Sequence, residues 1–219
     1  MKKHLLSLCL PLVLACSSFS ANAAVLLGLD AGVYVWQAST TGTAGAQNTA
    51  GLEEDNNVAY FAFEHPIPMI PNVKVQTTDM AVGAGATLVD LTHTDSILYY
   101  EILDNFISVD VGIAQRDFDG NYNNSATQIV MTDSVIMLYA SAEVEIPITG
   151  LSAGMEVSKD IGADDNAIDD VKIRVRYKIL GGLGIEVGQR TVTMSLKEAP
   201  QNTTDLEFDG SYLAVTYTF

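Results

Sequence analysis

The chain has 219 residues, 48% of them hydrophobic and 17% charged, with 27 acidic against 11 basic side chains and a formal net charge of −16. That surplus excludes nucleic acid as a partner, because neutralising phosphates requires a basic surface this composition cannot supply. Past residue 23 no apolar run approaches the roughly 18 residues of a membrane-spanning helix, so a membrane location would need strands.

Residues 1–23 read as a secretory signal peptide: Lys2, Lys3 and His4 form a basic start, an apolar run covers 5–15, and Ala21-Asn22-Ala23 fits a small-residue cleavage site. A competing reading makes Cys16 the acylated residue of a lipoprotein site. Cleavage after Ala23 removes both cysteines, Cys9 and Cys16, and leaves no thiol chemistry in 24–219. One domain, 24–219, remains.

Alternating segments then follow at 26–36, 58–64, 72–82, 96–103, 106–116, 134–146, 151–160, 171–180, 184–196 and 208–219. Short connections at 66–71, 104–105, 147–150 and 181–182 take turns with long ones at 37–57, 83–95, 117–133, 161–170 and 197–207. This is the pattern of an all-β, transmembrane, antiparallel up-and-down barrel of about ten strands, with short turns and both chain ends on the periplasmic side of a bacterial outer membrane. An eight-strand alternative would demote the hairpin over 58–82, which Pro66, Pro68 and Pro71 interrupt.

Strand 171–180 separates its two faces most plainly, since Val171, Ile173, Val175, Tyr177 and Ile179 alternate with Lys172, Arg174, Arg176 and Lys178. On the lipid face each cation would cost about 2–4 kcal/mol near the midplane, so the ladder is expected inside. The same logic places Arg190, Asp30, Glu101, Asp110, Glu143, Glu145, Glu156 and Glu186 in the lumen, with Glu156 and Glu186 on the strands flanking the ladder. A charge-paired, largely filled lumen suits a structural or surface-interaction protein. The alternative is a narrow pore for small solutes, with the ladder attracting anions.

Segment 208–219 carries Leu213, Val215, Tyr217 and Phe219 at every second position, and its terminal aromatic is similar to the signal read by the outer-membrane assembly machinery. Gly181-Gly182 joins two strongly alternating segments, as a two-residue type I′ turn with φ > 0 at both central positions requires. On the signal peptide, the Gly-Gly pair and Phe219 the chain resembles the bacterial outer-membrane β-barrel proteins named for a Gly-Gly motif in their C-terminal region. That resemblance implies fold and location and no activity.

His93, beside Asp90 and Asp95 at the end of an outer loop, is the candidate general base of a barrel enzyme, but a loop histidine near acids is ordinarily solvated, and the chain is read as not an enzyme. His65 lies in a periplasmic turn. The outer acids include Glu53, Glu54, Asp55, Asp117 and Asp119. Asp164, Asp165, Asp169 and Asp170 are candidate ligands for Ca²⁺ or Mg²⁺, although their spacing is not that of an EF-hand. Tyr34, Trp36, Tyr99, Tyr100, Tyr217 and Phe219 are read as interfacial anchors. No cofactor is expected. The expected partners are outer-membrane lipid, lipopolysaccharide and the assembly machinery, around a monomer.

Overall fold

Ten strands run up and down around a closed wall in a computed structural model that describes residues 27–219 except 45–46, 49–51, 68, 85–86, 124–127, 132, 163–166 and 200–201. They are β1 (Gly28–Ala44), β2 (Leu52–Glu64), β3 (Asn72–Asp79), β4 (His93–Asp104), β5 (Ile107–Phe118), β6 (Ser134–Ile146), β7 (Leu151–Asp160), β8 (Ala167–Lys178), β9 (Leu183–Ala199) and β10 (Asn202–Thr218). Each pairs antiparallel with the next, and β10 returns to β1 in register from Asp30↔Thr218 to Thr43↔Asp205, so the wall has no free edge. Leu29 and Phe219 finish the seam by exchanging backbone hydrogen bonds of 3.0 and 2.8 Å. The strands Ala81–Ala84, Thr87–Asp90, Gly120–Asn123 and Gln128–Met131 form a separate four-stranded sheet that prolongs the β3–β4 and β5–β6 hairpins beyond the rim.

The eight-strand alternative does not hold, because β2 and β3 are both present and Pro66 and Pro71 sit in the connection between them, where no ladder N–H is needed. Connections 65–71, 105–106, 147–150 and 179–182 gather at one end, the turn end, together with Leu29 and Phe219. At Gly181-Gly182 the φ angles are +62° and +86°, and Leu183 N donates to Leu180 O at 3.2 Å, a type I′ turn whose twist matches that of its strands. The other end, the extension end, differs from the sequence reading: much of what was expected as loop at 37–57, 83–95, 161–170 and 197–207 is strand.

The reason lies in a reversal of faces along the axis. Near the turn end, outward positions are apolar and half or nearly half exposed, as at Val35, Ile113, Leu138, Ile173, Val187 and Leu213. So large a continuous apolar band is far beyond what a water-soluble surface carries, and it faces lipid. On β6 it runs from Ile136 to Ile146, about 25 Å of height at about 3.3 Å per residue and a tilt of about 40°. One step toward the extension end the outward residues become Gln37, Ser96, Gln115, Ser134, Lys159, Asp169, Gln189 and Ser211. There and beyond, inward apolar residues enter, with Trp36, Met137, Ile168, Val192, Met194, Leu206 and Phe208 all fully or nearly fully buried, while Asp95, Arg116, Asp170 and Arg190 keep charge on the inward face at the change itself. Strands continue, but a reader of lipid-facing alternation stops at the change of phase.

Trp36, Tyr34 and Tyr99 correct the sequence reading. They are buried in the lumen and do not anchor the barrel in the interface. Period two had already placed Tyr34 and Trp36 on the face of Asp30. Trp36 donates its indole N–H to Gly210 O at 3.1 Å and packs on Phe208, with ring centroids 6.5 Å apart. Tyr100 does face outward, 44% exposed. The inward tyrosines fit because glycine faces them across the ladder. A Cβ at Gly188 would stand 2.6 Å from the Tyr212 ring, and one at Gly32 the same distance from the Tyr60 ring.

Candidate functional site in the charged lumen

Three layers fill the interior. At the turn end lies a vestibule of about 170 Å³, with Asp30, Glu64, Glu101, Asp110 and Glu145 on its walls opposite Arg174, Arg176 and Lys178. Above it a pocket of about 10 Å³, room for one water, is enclosed by Gln76, Asp95, Glu156, Asp170, Lys172 and Arg190. Glu156 and Lys172 wall both spaces and stand between them. The apolar layer around Trp36, Met80, Leu91 and Phe118 closes the extension side.

The ladder of β8 faces this lumen, and each rung meets an acid. Lys172 lies 3.2 Å from Glu156, Arg174 2.7 Å from Glu143, Arg176 2.8 Å from Glu186 and 3.2 Å from Asp30, and Lys178 2.7 Å from Glu145. Two of these contacts are cross-strand neighbours in the register, Glu156↔Lys172 and Arg176↔Glu186. Glu156 also accepts from Lys74 at 2.6 Å and faces Arg174 at 3.5 Å. Lys178 and Glu145 are substantially exposed at the mouth, so that pair is worth little, whereas the buried pairs would leave uncompensated charge if split. Asp110 takes a hydrogen bond from Ser141 at 2.7 Å, and Glu101 stands on the vestibule wall beside a register shift in the β4–β5 ladder.

Nearer the extension end lies a second cluster that the sequence reading did not assemble. Arg116 donates to both oxygens of Asp95, at 2.6 and 2.9 Å, and to Asp170 at 2.6 Å. Arg190 holds Asp170 through 3.0 and 2.6 Å bonds and reaches Thr78 on the facing side at 3.1 Å. His93 joins them. It is 1% exposed, packs on Phe118 and has Nδ1 against Leu91 O at 2.9 Å, so it is a lumen residue of β4 and not the loop histidine expected. The strand begins at His93, three residues before the alternating segment 96–103, and His93, Asp95, Ile97 and Tyr99 share its inward face. Asp90 is not part of the group; its carboxylate accepts from Thr92 N at 3.0 Å.

His93, Asp95 and Asp170 each bring one ligand atom within 4.8 Å of the others. The set does not fit a cation, because every oxygen of the two carboxylates already receives a guanidinium N–H and a dication would sit beside two fixed positive charges. The loop reading of Asp170 is therefore corrected: it is an inward residue two positions before Lys172, 8% exposed and bound to arginines. Asp169 points outward and pairs with Lys159 at 3.1 Å. Asp164 and Asp165 lie outside the described residues, as does the segment 1–23. Of the closing-strand residues, Leu213 and Val215 are exposed on the outer face, and Tyr217 and Phe219 are half-buried at the seam.

No protein-family model matches the sequence, and no curated protein matches it. Among solved structures the chain is similar to the outer membrane protease OmpT from Escherichia coli, at 8% identity and a TM-score of 0.48 over 93% of this chain and 100% of that one. It is similar also to Neisserial surface protein A, at 10% identity and a TM-score of 0.45 over 88% and 97% of the two chains. A third is the translocator domain of the autotransporter NalP from Neisseria meningitidis, at 12% identity and a TM-score of 0.45 over 97% and 94%. The likeness is one of fold. It carries no role across, but it corrects one expectation: a protease stands among these barrels, so the reading of the chain as not an enzyme is withdrawn, while the barrel alone establishes no activity.

Proposed function

We propose that the chain is an integral outer-membrane barrel of structural or surface-interaction role whose lumen does not conduct, a member of the Gly-Gly family that Gly181-Gly182 and Phe219 resemble. The extension end lies outside, beside lipopolysaccharide, and the turn end and both chain ends lie in the periplasm. The barrel acts as a monomer in lipid, delivered by the assembly machinery that reads β10.

The observation that carries this reading is the pairing of Lys74 with Glu156 across the lumen, below the pocket of about 10 Å³ and the apolar layer. A pore of small solutes needs a continuous water path, which this stacking opposes. Planar-bilayer recording tests it. The purified barrel gives no stable conductance step, and a reproducible step would establish the narrow pore instead.

A further inference from the structure

We infer that the turn end of the barrel is itself a membrane-contact surface, its four tips seated among lipid headgroups and upper acyl chains; this rests on the outer-membrane reading above. Each short connection presents a large apolar side chain: Met69 is 90% exposed, Phe106 67%, Ile148 106% and Leu180 82%. Across 65–71, 105–106, 147–150 and 179–182 there is no Asp, Glu, Lys or Arg. Pro66, Pro71, Asn105, Pro147, Gly150, Gly181 and Gly182 supply ordinary turn chemistry, and what sets the four tips apart is the large apolar side chain that each projects beside them.

Two tips make the point through their backbone. Met69 and Ile148 have φ of 71° and 73°, the left-handed region where Gly or Asn belongs and where a β-branched residue is a genuine outlier. A site whose conformation favours glycine and yet carries a fully projecting isoleucine requires an environment that favours the side chain. Lipid supplies it, because the tips continue the established belt: Ile146 leads to Ile148, Ile179 to Leu180, and Ile102 with Leu103 to Phe106, all at least half exposed. Tyr100, which faces lipid, donates its hydroxyl to Met69 O at 3.0 Å and draws the 65–71 turn over the outer face of the barrel. The tips therefore ring the vestibule, and its charged mouth opens at headgroup level instead of in bulk water.

The test uses the full barrel in vesicles of phosphatidylethanolamine and phosphatidylglycerol, carrying M69C, I148C or L180C labelled with an environment-sensitive fluorophore. The native cysteines, Cys9 and Cys16, fall within the expected signal peptide. L213C reports the belt and T41C the exposed extension end. Labels at 69, 148 and 180 are quenched by lipids spin-labelled near the headgroup, and their iodide quenching falls at least about threefold below that at 41. Iodide quenching at the tips equal to that at 41, with 213 still quenched by lipid, would overturn the inference and leave the tips to water or a soluble partner. Iodide access at 213 as well would remove the membrane reading together with it. Three independent tips guard against one variant that fails to fold.

Discussion

Lys74 Nζ lies 2.6 Å from Glu156 Oε2, although β3 and β7 stand on facing sides of the barrel. The contact is a strut across the lumen. Lys74 is further held between the rings of Tyr60 and Tyr139, 5.4 and 5.7 Å from their centroids, which adds cation–π attraction to the ion pair. Glu156→Gln removes the anion that Lys74 and Lys172 share, and we expect it to cost about 3–5 kcal/mol, the penalty of stranding buried charge. Lys74→Met leaves Glu156 with Lys172 and Arg174 and costs less, about 1–3 kcal/mol. Urea unfolding of the two variants in the same vesicles gives the order; equal midpoints would contradict the strut.

Arg174 serves three acids, Glu143 at 2.7 Å, Glu156 at 3.5 Å and Glu186 at 3.8 Å. For Arg174→Ala we expect a loss of about 1–3 kcal/mol in denaturant stability with conductance still absent. In an open pore water would solvate the widowed carboxylates, stability would hardly move, and selectivity would shift toward cations. Both quantities are measured on one preparation.

The glycines of the β8–β9 turn are not equivalent. A Cβ on Gly181 meets nothing within 4 Å, whereas one on Gly182 would fall 2.4 Å from Thr218 O, and Gly182 O accepts from Thr218 N at 2.8 Å. Gly181→Ala should cost about 1–2 kcal/mol for left-handed backbone alone. Gly182→Ala adds a clash with β10 and should cost more, read as a lower midpoint of refolding yield. Gly181→Asn should recover most of the loss at 181, since Asn tolerates this region.

Removing Phe219 deletes one partner of the reciprocal hydrogen bonds with Leu29 at the turn end of the seam. An open seam exposes strand edges that the closed wall hides. The deletion should reduce heat-modifiable barrel in the outer-membrane fraction by about tenfold, the effect of roughly 1.4 kcal/mol on assembly. Normal levels would show that the remaining register between β1 and β10 closes the wall unaided.

Where the sequence was legible, one signal carried it. Period-two alternation across a lipid boundary placed ten strands, the β8 ladder and its flanking Glu156 and Glu186, because charge on the lipid face is too costly to be ambiguous. Lys74 obeys the same rule, flanked by the outward Val73 and Val75, yet it stands in the hairpin whose prolines obscured it. Asp95, Arg116 and Asp170 were illegible for a different reason. They sit where the outward neighbours change to Ser96, Gln115 and Asp169, so neither face is marked by apolar residues. Which acid meets which cation also depends on barrel curvature, which brings Asp170 on β8 to Arg116 on β5 without any pattern in the chain.

The reversal of faces beyond Val35 and Leu213 has a mechanical consequence: it locks the depth of the barrel. Sinking by one residue pair would draw Gln37, Gln189 and Ser211 into hydrocarbon, and rising by one would lift Val35, Val187 and Leu213 into water. Both displacements are opposed around the whole circumference at once. A bilayer of different thickness must therefore bend to meet this protein, because vertical sliding is closed to it.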